Sequence, residues 1–261
     1  MRTMNRRAFL GRLGAAAACT MLPAAAQPAK PNFLFLFADD MTREALHALG
    51  GGVCETPNLD RRAARGVLFA QAYNMGGWHG AICVASRTML VTGAYMWHAK
   101  QLERRLDKER AAGRLWPQLM AAAGYETYMA GKWHVQIDPA SIFDRTGTVR
   151  GGMAEDRHAD YNRPLEGVPD TWSPSDPALG GYWEGGTHWS VKLADEAIGF
   201  LGEAAHKPKP FFMYIAFNAP HDPRQSPQEY LDRYPVDTIP VPENFLPENP
   251  QIGRASCRER V

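Results

Sequence analysis

The chain has 261 residues, and its 29 Lys and Arg nearly balance its 28 Asp and Glu, which gives a formal net charge of +1. Both ends are set apart below: residues 1–26 hold four Arg, and residues 252–261 hold three Arg and one Glu, so 22 basic and 27 acidic residues remain, a net charge of about −5. This charge excludes a general nucleic-acid binder, which carries a basic face, but not a protein with an anionic substrate, because local charge at a site matters more than the total.

The N-terminal segment has the pattern of an export signal. Residues 5–10 read Asn-Arg-Arg-Ala-Phe-Leu, an Ala-rich apolar run follows to Leu22, and three alanines at 24–26 form a small-residue cleavage site. The apolar run is shorter than the ~20 residues that span a bilayer, which disfavours a membrane anchor. We therefore expect a twin-arginine signal peptide over 1–26, export by the twin-arginine machinery, no membrane span after its removal, and a periplasmic or secreted protein.

The last ten residues, 252–261, read Ile-Gly-Arg-Ala-Ser-Cys-Arg-Glu-Arg-Val. A translated short-read sequencing adapter gives these residues in the same order, so we interpret them as a sequencing artefact and not as a basic surface tail. With the two ends removed, Cys54 and Cys83 are the cysteines that remain, too few for a disulfide framework.

From Pro31 onwards, apolar runs of strand length alternate with helical patterns. Strands are predicted over 32–38, 67–72, 125–130 and 211–217. The first run is almost wholly apolar, which is typical of a strand buried on both faces. Alternating strands and helices, with polar residues at the strand ends, predict an α/β fold whose open sheet has its functional site at one edge.

Helical patterns lie between these runs, over 42–49, 58–65 and 115–123. Thr42 and Thr56 stand where caps are preferred, and Gly66 and Gly124 follow the helix ends. A further helix carries one apolar face, formed by Val191, Ala194, Ile198 and Leu201.

Between Gln136 and Thr187 the regular patterns fail, and Gly, Pro, Trp and charged residues dominate. The aromatic residues disfavour disorder because burial of their rings compensates for the cost of ordering. These rings are Trp172, Tyr182, Trp183 and Trp189. Aromatic faces beside polar groups would suit a sugar substrate, and packing within the loop is an equal alternative.

A short polar stretch, Cys83-Val84-Ala85-Ser86-Arg87, runs into an apolar helical segment that ends at Thr92-Gly93. Position 83 would lie near a helix N-terminus, where free N–H groups and the helix dipole favour an anion. Arg87 lies one turn further on the same face, and its planar fork of donors suits an oxyanion. The alternative is a buried structural cysteine, which behaves as a small hydrophobe.

Polar motifs also follow three of the predicted strands: Asp39-Asp40, Gly131-Lys132-Trp133-His134, and Pro220-His221. Adjacent carboxylates at a strand end can bind a hard divalent cation, although Asp before a helix is also a common cap. In this order, with the Cys83 stretch between the first two, the motifs resemble those of the type I sulfatase family of the alkaline-phosphatase superfamily.

The resemblance covers Pro31 to about Pro250 and corresponds to the N-terminal half of a sulfatase. It implies an α/β alkaline-phosphatase-like fold with a large central mixed sheet flanked by helices, truncated after its N-terminal half. The domain would occupy 27–251, and further metal ligands and another Lys would come from a later segment. The family usually has Pro where this chain has Ala85.

In that family the cysteine is oxidised to formylglycine, whose hydrate is the nucleophile. The conversion implies a formylglycine-generating enzyme or an anaerobic sulfatase-maturing enzyme as a partner. The resemblance also implies Ca²⁺, with Mg²⁺ as the alternative, held by Asp39, Asp40 and position 83.

The remaining roles follow from the same resemblance. Lys132 would contact the sulfate, His134 would hydrogen-bond to formylglycine, and His221 would stand near the bridging ester oxygen as a proton donor or sulfate ligand. The implied catalytic set is Cys83, Arg87, Lys132, His134 and His221. Asp222 and Arg224 are candidates for substrate contact, and His79 either lines the pocket or packs in the structure.

Three functions agree with this sequence. The first is a sulfuric ester hydrolase that removes sulfate from a sulfated carbohydrate. The second is a phosphonate or phosphate ester hydrolase of the same superfamily. The third is an inactive fragment that only binds sulfated glycans.

Overall fold

The computed structural model describes residues 30–78, 80, 82–154, 167, 169–241 and 243–246. Residues Met1–Asn32 form one unit, of which only 30–32 are described, and Phe33–Val261 form the compact unit considered below. The predicted signal peptide, the predicted tail artefact and His79 lie outside the described residues. Within the described ranges, no helix combines the length and the apolar character needed to cross a bilayer.

A four-stranded parallel sheet forms the centre of the described chain, with strand order β1-β6-β2-β3. A separate antiparallel pair is formed by β4 and β5. The strands are β1 Phe33–Asp39, β2 Glu126–Lys132, β3 Arg145–Arg150, β4 Trp183–Glu184, β5 Thr187–His188 and β6 Phe211–Pro220.

Seven helices surround these strands in the described ranges. They are α1 Pro57–Arg65, α2 Ile82–Thr92, α3 Met96–Glu103, α4 Leu106–Ala111, α5 Trp116–Ala122, α6 Trp189–Ala205 and α7 Gln228–Leu231. Local sequence explains several boundaries. Pro57 starts α1 because its fixed φ suits the first helical position, and Gly124, at φ +90°, lies just after α5 in the left-handed conformation that glycine tolerates.

The two central strands separate two apolar clusters, because successive side chains of a strand point to opposite faces. On β6, Phe212, Tyr214 and Ala216 pack into one cluster, which also contains Leu115 and Trp133. Met213 and Ile215 point the other way, into a cluster with residues of α6. This burial on both faces confirms the predicted strands at 125–130 and 211–217.

The prediction that β1 is buried on both faces is wrong. It is the edge strand of the described sheet, and Phe33, Leu34 and Leu36 are 45%, 36% and 49% exposed. A continuous apolar run predicts a strand but does not determine whether it lies at the centre or the edge of a sheet.

The predicted strand at 67–72 is also absent. Val67 and Phe69 are 80% and 78% exposed, and no strand that the structure describes pairs with them. The predicted helix at 42–49 is replaced by two short 3₁₀ turns, Arg43–Ala45 and His47–Leu49, and Thr42 makes no side-chain cap. Short apolar runs have no strand character without a partner to pair with.

The helix around 191–201 exists as α6, but its buried face is rotated from the predicted one. Leu193, Ala197 and Ala204 are buried, whereas Val191 and Ile198 are 45% and 65% exposed. The segment 136–187 also contains a strand that the pattern did not predict, β3, whose polar sequence Arg-Thr-Gly-Thr-Val-Arg suits an edge position.

Candidate active site

Three strand ends and one helix start meet at one edge of the sheet. Asp39 is the last residue of β1, Lys132 is the last residue of β2, and His221 directly follows β6. These strands are parallel neighbours, so their carboxyl ends lie at the same edge. Cys83 and Arg87 come from the first turns of α2. The structure thus brings together five residues that the sequence placed in one site.

Asp39 is the centre of this group. Its Oδ1 accepts a hydrogen bond from Arg87 Nη2 at 3.2 Å, and its Oδ2 accepts one from Lys132 Nζ. The thiol of Cys83 lies 4.0 Å from the same Oδ2. Asp39, Arg87 and Lys132 are 5%, 1% and 0% exposed. Two buried cations share one carboxylate, which leaves local positive charge beside Cys83.

Arg87 is fixed by contacts with each of the three adjacent strands. Its Nη1 donates to the Lys132 carbonyl at 3.0 Å and to the Tyr214 hydroxyl at 3.3 Å. Its guanidinium carbon lies 4.7 Å from the centroid of the Phe37 ring. Because it is almost fully buried behind Asp39, Arg87 holds the carboxylate and does not line the cleft described below.

Tyr214 is a member of the site that the sequence analysis did not identify. Burial raises the pKa of its hydroxyl, which stays protonated and pairs with Arg87. The available signal was a tyrosine inside a fully buried strand, since a buried hydroxyl requires a partner.

The thiol of Cys83 lies in an environment that keeps it protonated. Burial and the nearby Asp39 carboxylate raise the pKa of Cys83, and this effect outweighs the opposing effect of Lys132 and Arg87. A catalytic thiolate needs the opposite, an environment that lowers the thiol pKa. The raised pKa of the thiol at position 83 therefore disfavours direct nucleophilic attack by the unmodified cysteine.

His134 follows β2 with φ +55°, a left-handed conformation that is uncommon outside glycine. Burial, followed by the charges of Lys132 and Arg87, lowers its pKa, so its imidazole is neutral at neutral pH. Its Nδ1 is buried and has no hydrogen-bond partner among the described residues. Gly152 packs against the ring, since a Cβ there would lie 2.4 Å from His134 Cε1.

His221 is oriented by the residue that follows it. Its Nδ1 lies 2.8 Å from the carbonyl oxygen of Asp222 and 3.2 Å from the Asp222 carboxylate. Because both oxygens are acceptors, Nδ1 carries the proton, and Nε2 is the nitrogen left for other contacts. Asp222 therefore orients His221 in this structure, whereas Arg224 is exposed and is not among the residues that line the cleft.

Asp39, Cys83 and His221 offer ligand atoms that all lie within 4.8 Å of one another. Asp40, at φ +59°, is exposed and lines the same cleft, although it is not a member of that group. Two carboxylates facing one cleft fit a hard divalent cation such as Ca²⁺ or Mg²⁺. Such an ion would compete with the Lys132 ammonium for Asp39.

These groups open into a cleft of about 770 Å³. Asp39, Cys83, Lys132, His134 and His221 line it together with Asp40. Its lining also includes Met41, Thr42, Arg43, Ala72, Asn74 and Met153. A cleft of this size accepts a molecule larger than an inorganic anion.

The four aromatic residues expected to be ordered, Trp172, Tyr182, Trp183 and Trp189, lie in the described part of the chain, and those whose contacts follow pack within the fold. Tyr182 is 1% exposed, and its hydroxyl donates to the Asp222 carbonyl at 2.8 Å. The Tyr182 and Trp189 ring centroids lie 5.2 Å apart, and Trp183 Nε1 donates to the Pro174 carbonyl at 3.2 Å. None of these rings lines the cleft, so packing is the role that the structure shows.

A family model described as Sulfatase matches residues 31–254. The chain belongs to the sulfatase family. This sulfatase chain is 29% identical over 233 residues to an N-acetylglucosamine-6-O-sulfatase of Bacteroides thetaiotaomicron, covering 87% of the chain and 37% of that relative. It is 28% identical over 265 residues to an arylsulfatase of Klebsiella aerogenes, covering 88% and 51%. The chain thus spans between a third and a half of the length of these relatives.

Solved structures agree with the expected α/β fold. The sulfatase chain matches a protein in complex with its substrate D-glucosamine-2-N,6-O-disulfate, with a TM-score of 0.56 and 27% identity over 82% of this chain and 40% of that one. A phosphonate monoester hydrolase of Agrobacterium radiobacter matches with a TM-score of 0.51 and 19% identity over 81% and 45%. The second likeness concerns the fold alone.

Proposed function

We propose that the protein hydrolyses sulfate esters of a carbohydrate, using a formylglycine derived from Cys83 and a divalent cation, Ca²⁺ or Mg²⁺. The observation that carries this proposal is the buried Asp39 carboxylate shared by Arg87 and Lys132 beside position 83. Family membership and the two named sulfatase relatives support the reaction class.

The charges around Asp39 suit a transferring sulfuryl group. Lys132 is among the residues that line the cleft, and in this proposal its ammonium, which is buried against Asp39, would donate to a non-bridging sulfate oxygen. Arg87 is buried behind the Asp39 carboxylate and pairs with it. Asp39, Arg87 and Lys132 together therefore keep a net positive charge. Preorganised charges in a water-poor site stabilise charge that develops in the transition state.

Asp39, Asp40 and position 83 would hold the cation, which would draw electron density from a bound sulfate oxygen. A formylglycine at position 83 would supply a hydroxyl nucleophile. This role fits the site because burial and Asp39 raise the pKa of the unmodified Cys83 and keep its thiol protonated.

Two histidines can move the protons that the reaction needs. Asp222 occupies Nδ1 of His221, so a proton delivered to the leaving alcohol oxygen would come from Nε2 of the protonated ring. The lowered pKa of His134 keeps its imidazole neutral and therefore able to accept a proton at neutral pH. In this proposal His221 gives a proton and His134 accepts one.

A sulfated sugar is the proposed substrate class, because one relative is an N-acetylglucosamine-6-O-sulfatase and one structural neighbour binds a sulfated glucosamine. Formation of formylglycine would require a maturing enzyme as a partner. Twin-arginine export and a periplasmic or secreted location complete the proposal, and they rest on the N-terminal sequence pattern.

The same charges would also suit a phosphate or phosphonate ester, which is the second candidate. The discriminating experiment uses protein expressed from its complete gene together with a maturing enzyme. We expect hydrolysis of aryl and sugar sulfates to exceed that of the matching phosphate esters. The reverse order would favour the second candidate, and binding of sulfated glycans without hydrolysis of any ester would favour a binding protein.

Position 83 has its own test. Mass spectrometry of the matured protein should show the Cys83 peptide about 18 Da lighter, as CH₂SH becomes CHO. A Cys83→Ser protein made without serine conversion has no second hydroxyl to expel sulfate, so it should stop after one turnover. Cys54→Ser, at an exposed cysteine outside the cleft, is the matched control and should keep the wild-type rate. Repeated turnover by Cys83→Ser at the wild-type rate would rule out the formylglycine mechanism.

A further inference from the structure

Arg43 is a cation in the cleft that the proposed reaction does not use. It lies four residues after Asp39, in the first 3₁₀ turn that follows β1, and its side chain is exposed. It lines the same cleft as Asp39, Cys83 and Lys132. Among the described residues, its guanidinium forms no ion pair and no hydrogen bond.

The other cations near this edge of the sheet already have acidic partners. Arg87 and Lys132 share the buried carboxylate of Asp39, and Arg150 donates to Glu184 at 2.8 Å. Of the described residues that line the cleft, Arg43 is the one arginine. Lys132 is the one lysine among them, and it is paired with Asp39. Its positive charge is therefore available to an anion that enters the cleft.

Arg43 also stands where the cleft continues into a neighbouring pocket. That pocket, of about 390 Å³, is lined by Arg43, Ala70, Gln71, Ala72 and Tyr73. It shares Arg43 and Ala72 with the cleft, so the two spaces adjoin. Tyr73 is 85% exposed there, and its ring offers an apolar face to a sugar.

We propose that Arg43 binds a second anionic group of the substrate, a sulfate ester or carboxylate on the same sugar or on the next one. The protein would then select saccharides that carry at least two anionic groups. This inference rests on the proposed function, because it assumes that the scissile sulfate lies in the cleft beside position 83. Arg suits the role because its planar fork of donors matches two oxygens of such a group.

The test compares a disulfated monosaccharide with its monosulfated counterpart as substrates of the matured protein. We expect Arg43→Ala to lower kcat/KM for the disulfated sugar by about 10- to 100-fold, the effect of losing a charge-assisted hydrogen bond. Its kcat/KM for the monosulfated sugar should stay within about two-fold of wild type, since no second anion is lost. Arg43→Lys should recover part of the loss because it keeps the charge.

Arg62→Ala is the matched control. Arg62 is exposed on α1 and lines a different surface depression, so its loss removes one positive charge away from the cleft. It should leave kcat/KM unchanged for both sugars. Equal losses for both sugars in Arg43→Ala, or equal losses in Arg43→Ala and Arg62→Ala, would overturn the proposal.

A binding measurement keeps this inference separate from the proposed reaction. Calorimetry with the Cys83→Ala protein, which cannot turn over, measures the Kd of the two sugars directly. If wild type hydrolyses no sulfate ester, the proposed function fails, but a disulfated sugar that binds about ten-fold more weakly to Cys83→Ala/Arg43→Ala would still support an anion site. Equal Kd values with and without Arg43 would refute it.

Discussion

His134 depends for its position on a residue that has no side chain. A Cβ at Gly152 would lie 2.4 Å from the ring, closer than real Cβ contacts allow, so any larger residue must displace the imidazole. The ring cannot settle elsewhere without changing where its nitrogen atoms lie in the cleft. Gly152 is thus a positioning residue, and its effect passes through His134.

We expect Gly152→Ala to lower kcat by about ten-fold or more, because small misplacements of catalytic groups have large effects on rate. Gly151→Ala is the matched control, since its Cβ would meet nothing closer than the Met153 carbonyl at 4.0 Å. Steady-state kinetics and thermal melts of both variants check this. A Gly152→Ala protein with wild-type kcat would show that the ring has room to move.

The protonation of Cys83 leads to a prediction for protein that has not been matured. Because burial and Asp39 raise the thiol pKa, the reactive thiolate is scarce below the ordinary value of 9.0 and appears only as the pH rises above it. Iodoacetamide should therefore label exposed Cys54 at pH 8 and label Cys83 much more slowly, with the difference shrinking as the pH rises.

Peptide mass spectrometry after timed labelling follows both cysteines in one sample. Unfolding in urea should remove the difference, which separates the effect of the site from that of the flanking sequence. Faster labelling of Cys83 than of Cys54 at pH 8 in the folded protein would contradict the raised pKa.

The strands β2 and β6 approach each other closely at one glycine. Gly131 has φ +94°, and a Cβ there would lie 2.0 Å from the Ala216 carbonyl oxygen. That contact is with backbone, which cannot rotate away. The close approach lies one residue before Lys132, so it also fixes the position from which the Lys132 side chain extends.

We expect Gly131→Ala to lower the free energy of unfolding by about 2–4 kcal/mol, through overpacking added to the strain of positive φ. Gly113→Ala has a positive φ of +67° and nothing within 4 Å of its Cβ, so it measures the strain alone, about 1–2 kcal/mol. Urea titrations of the two variants give the difference. Equal losses would mean that the strands can separate at this point.

Much of this element layout follows from the sequence. The buried runs around 125–130 and 211–217 predict the central strands, and parallel pairing then brings Asp39, Lys132 and His221 to one edge. A chain without these strand-end motifs would give the same fold prediction and no site. The motifs locate the residues because the end of a strand fixes where its next side chain lies.

Other features depend on contacts that a local pattern does not contain. Whether β1 lies at an edge depends on its neighbours, and the face of α6 that is buried depends on how the helix lies on the sheet. The pairing of Arg87 with Tyr214 joins residues 127 positions apart. The contact of Gly152 with His134 likewise needs the loop after β3 to return to the end of β2.

The described surface carries exposed apolar side chains on an edge strand of the sheet. Leu34 and Leu36 on β1 are 36% and 49% exposed, and among described strands β1 pairs with β6 alone. An apolar edge strand is a template for pairing with another chain. This surface therefore favours self-association of the chain when it is produced by itself.

We expect the chain made without residues 1–26 to associate as its concentration rises, and Leu36→Lys to reduce this because a charge disrupts edge pairing. Leu59→Lys places the same charge at a 43% exposed leucine on α1 and should leave association unchanged. Sedimentation velocity over a concentration series measures both. A monomeric parent chain, or equal effects of the two substitutions, would contradict the edge as the cause.

Because of the contacts of Arg87, a substitution at this position affects the fold and the proposed chemistry together. One guanidinium joins the Asp39 carboxylate, the Lys132 carbonyl and the Tyr214 hydroxyl. A random-mutagenesis screen would therefore find position 87 both among variants with low folding yield and among variants without activity. It would not distinguish these two causes. Tyr214→Phe removes one of these contacts and keeps the charge of Arg87. It is therefore the substitution with which the effect on folding yield can be measured separately from the effect on activity.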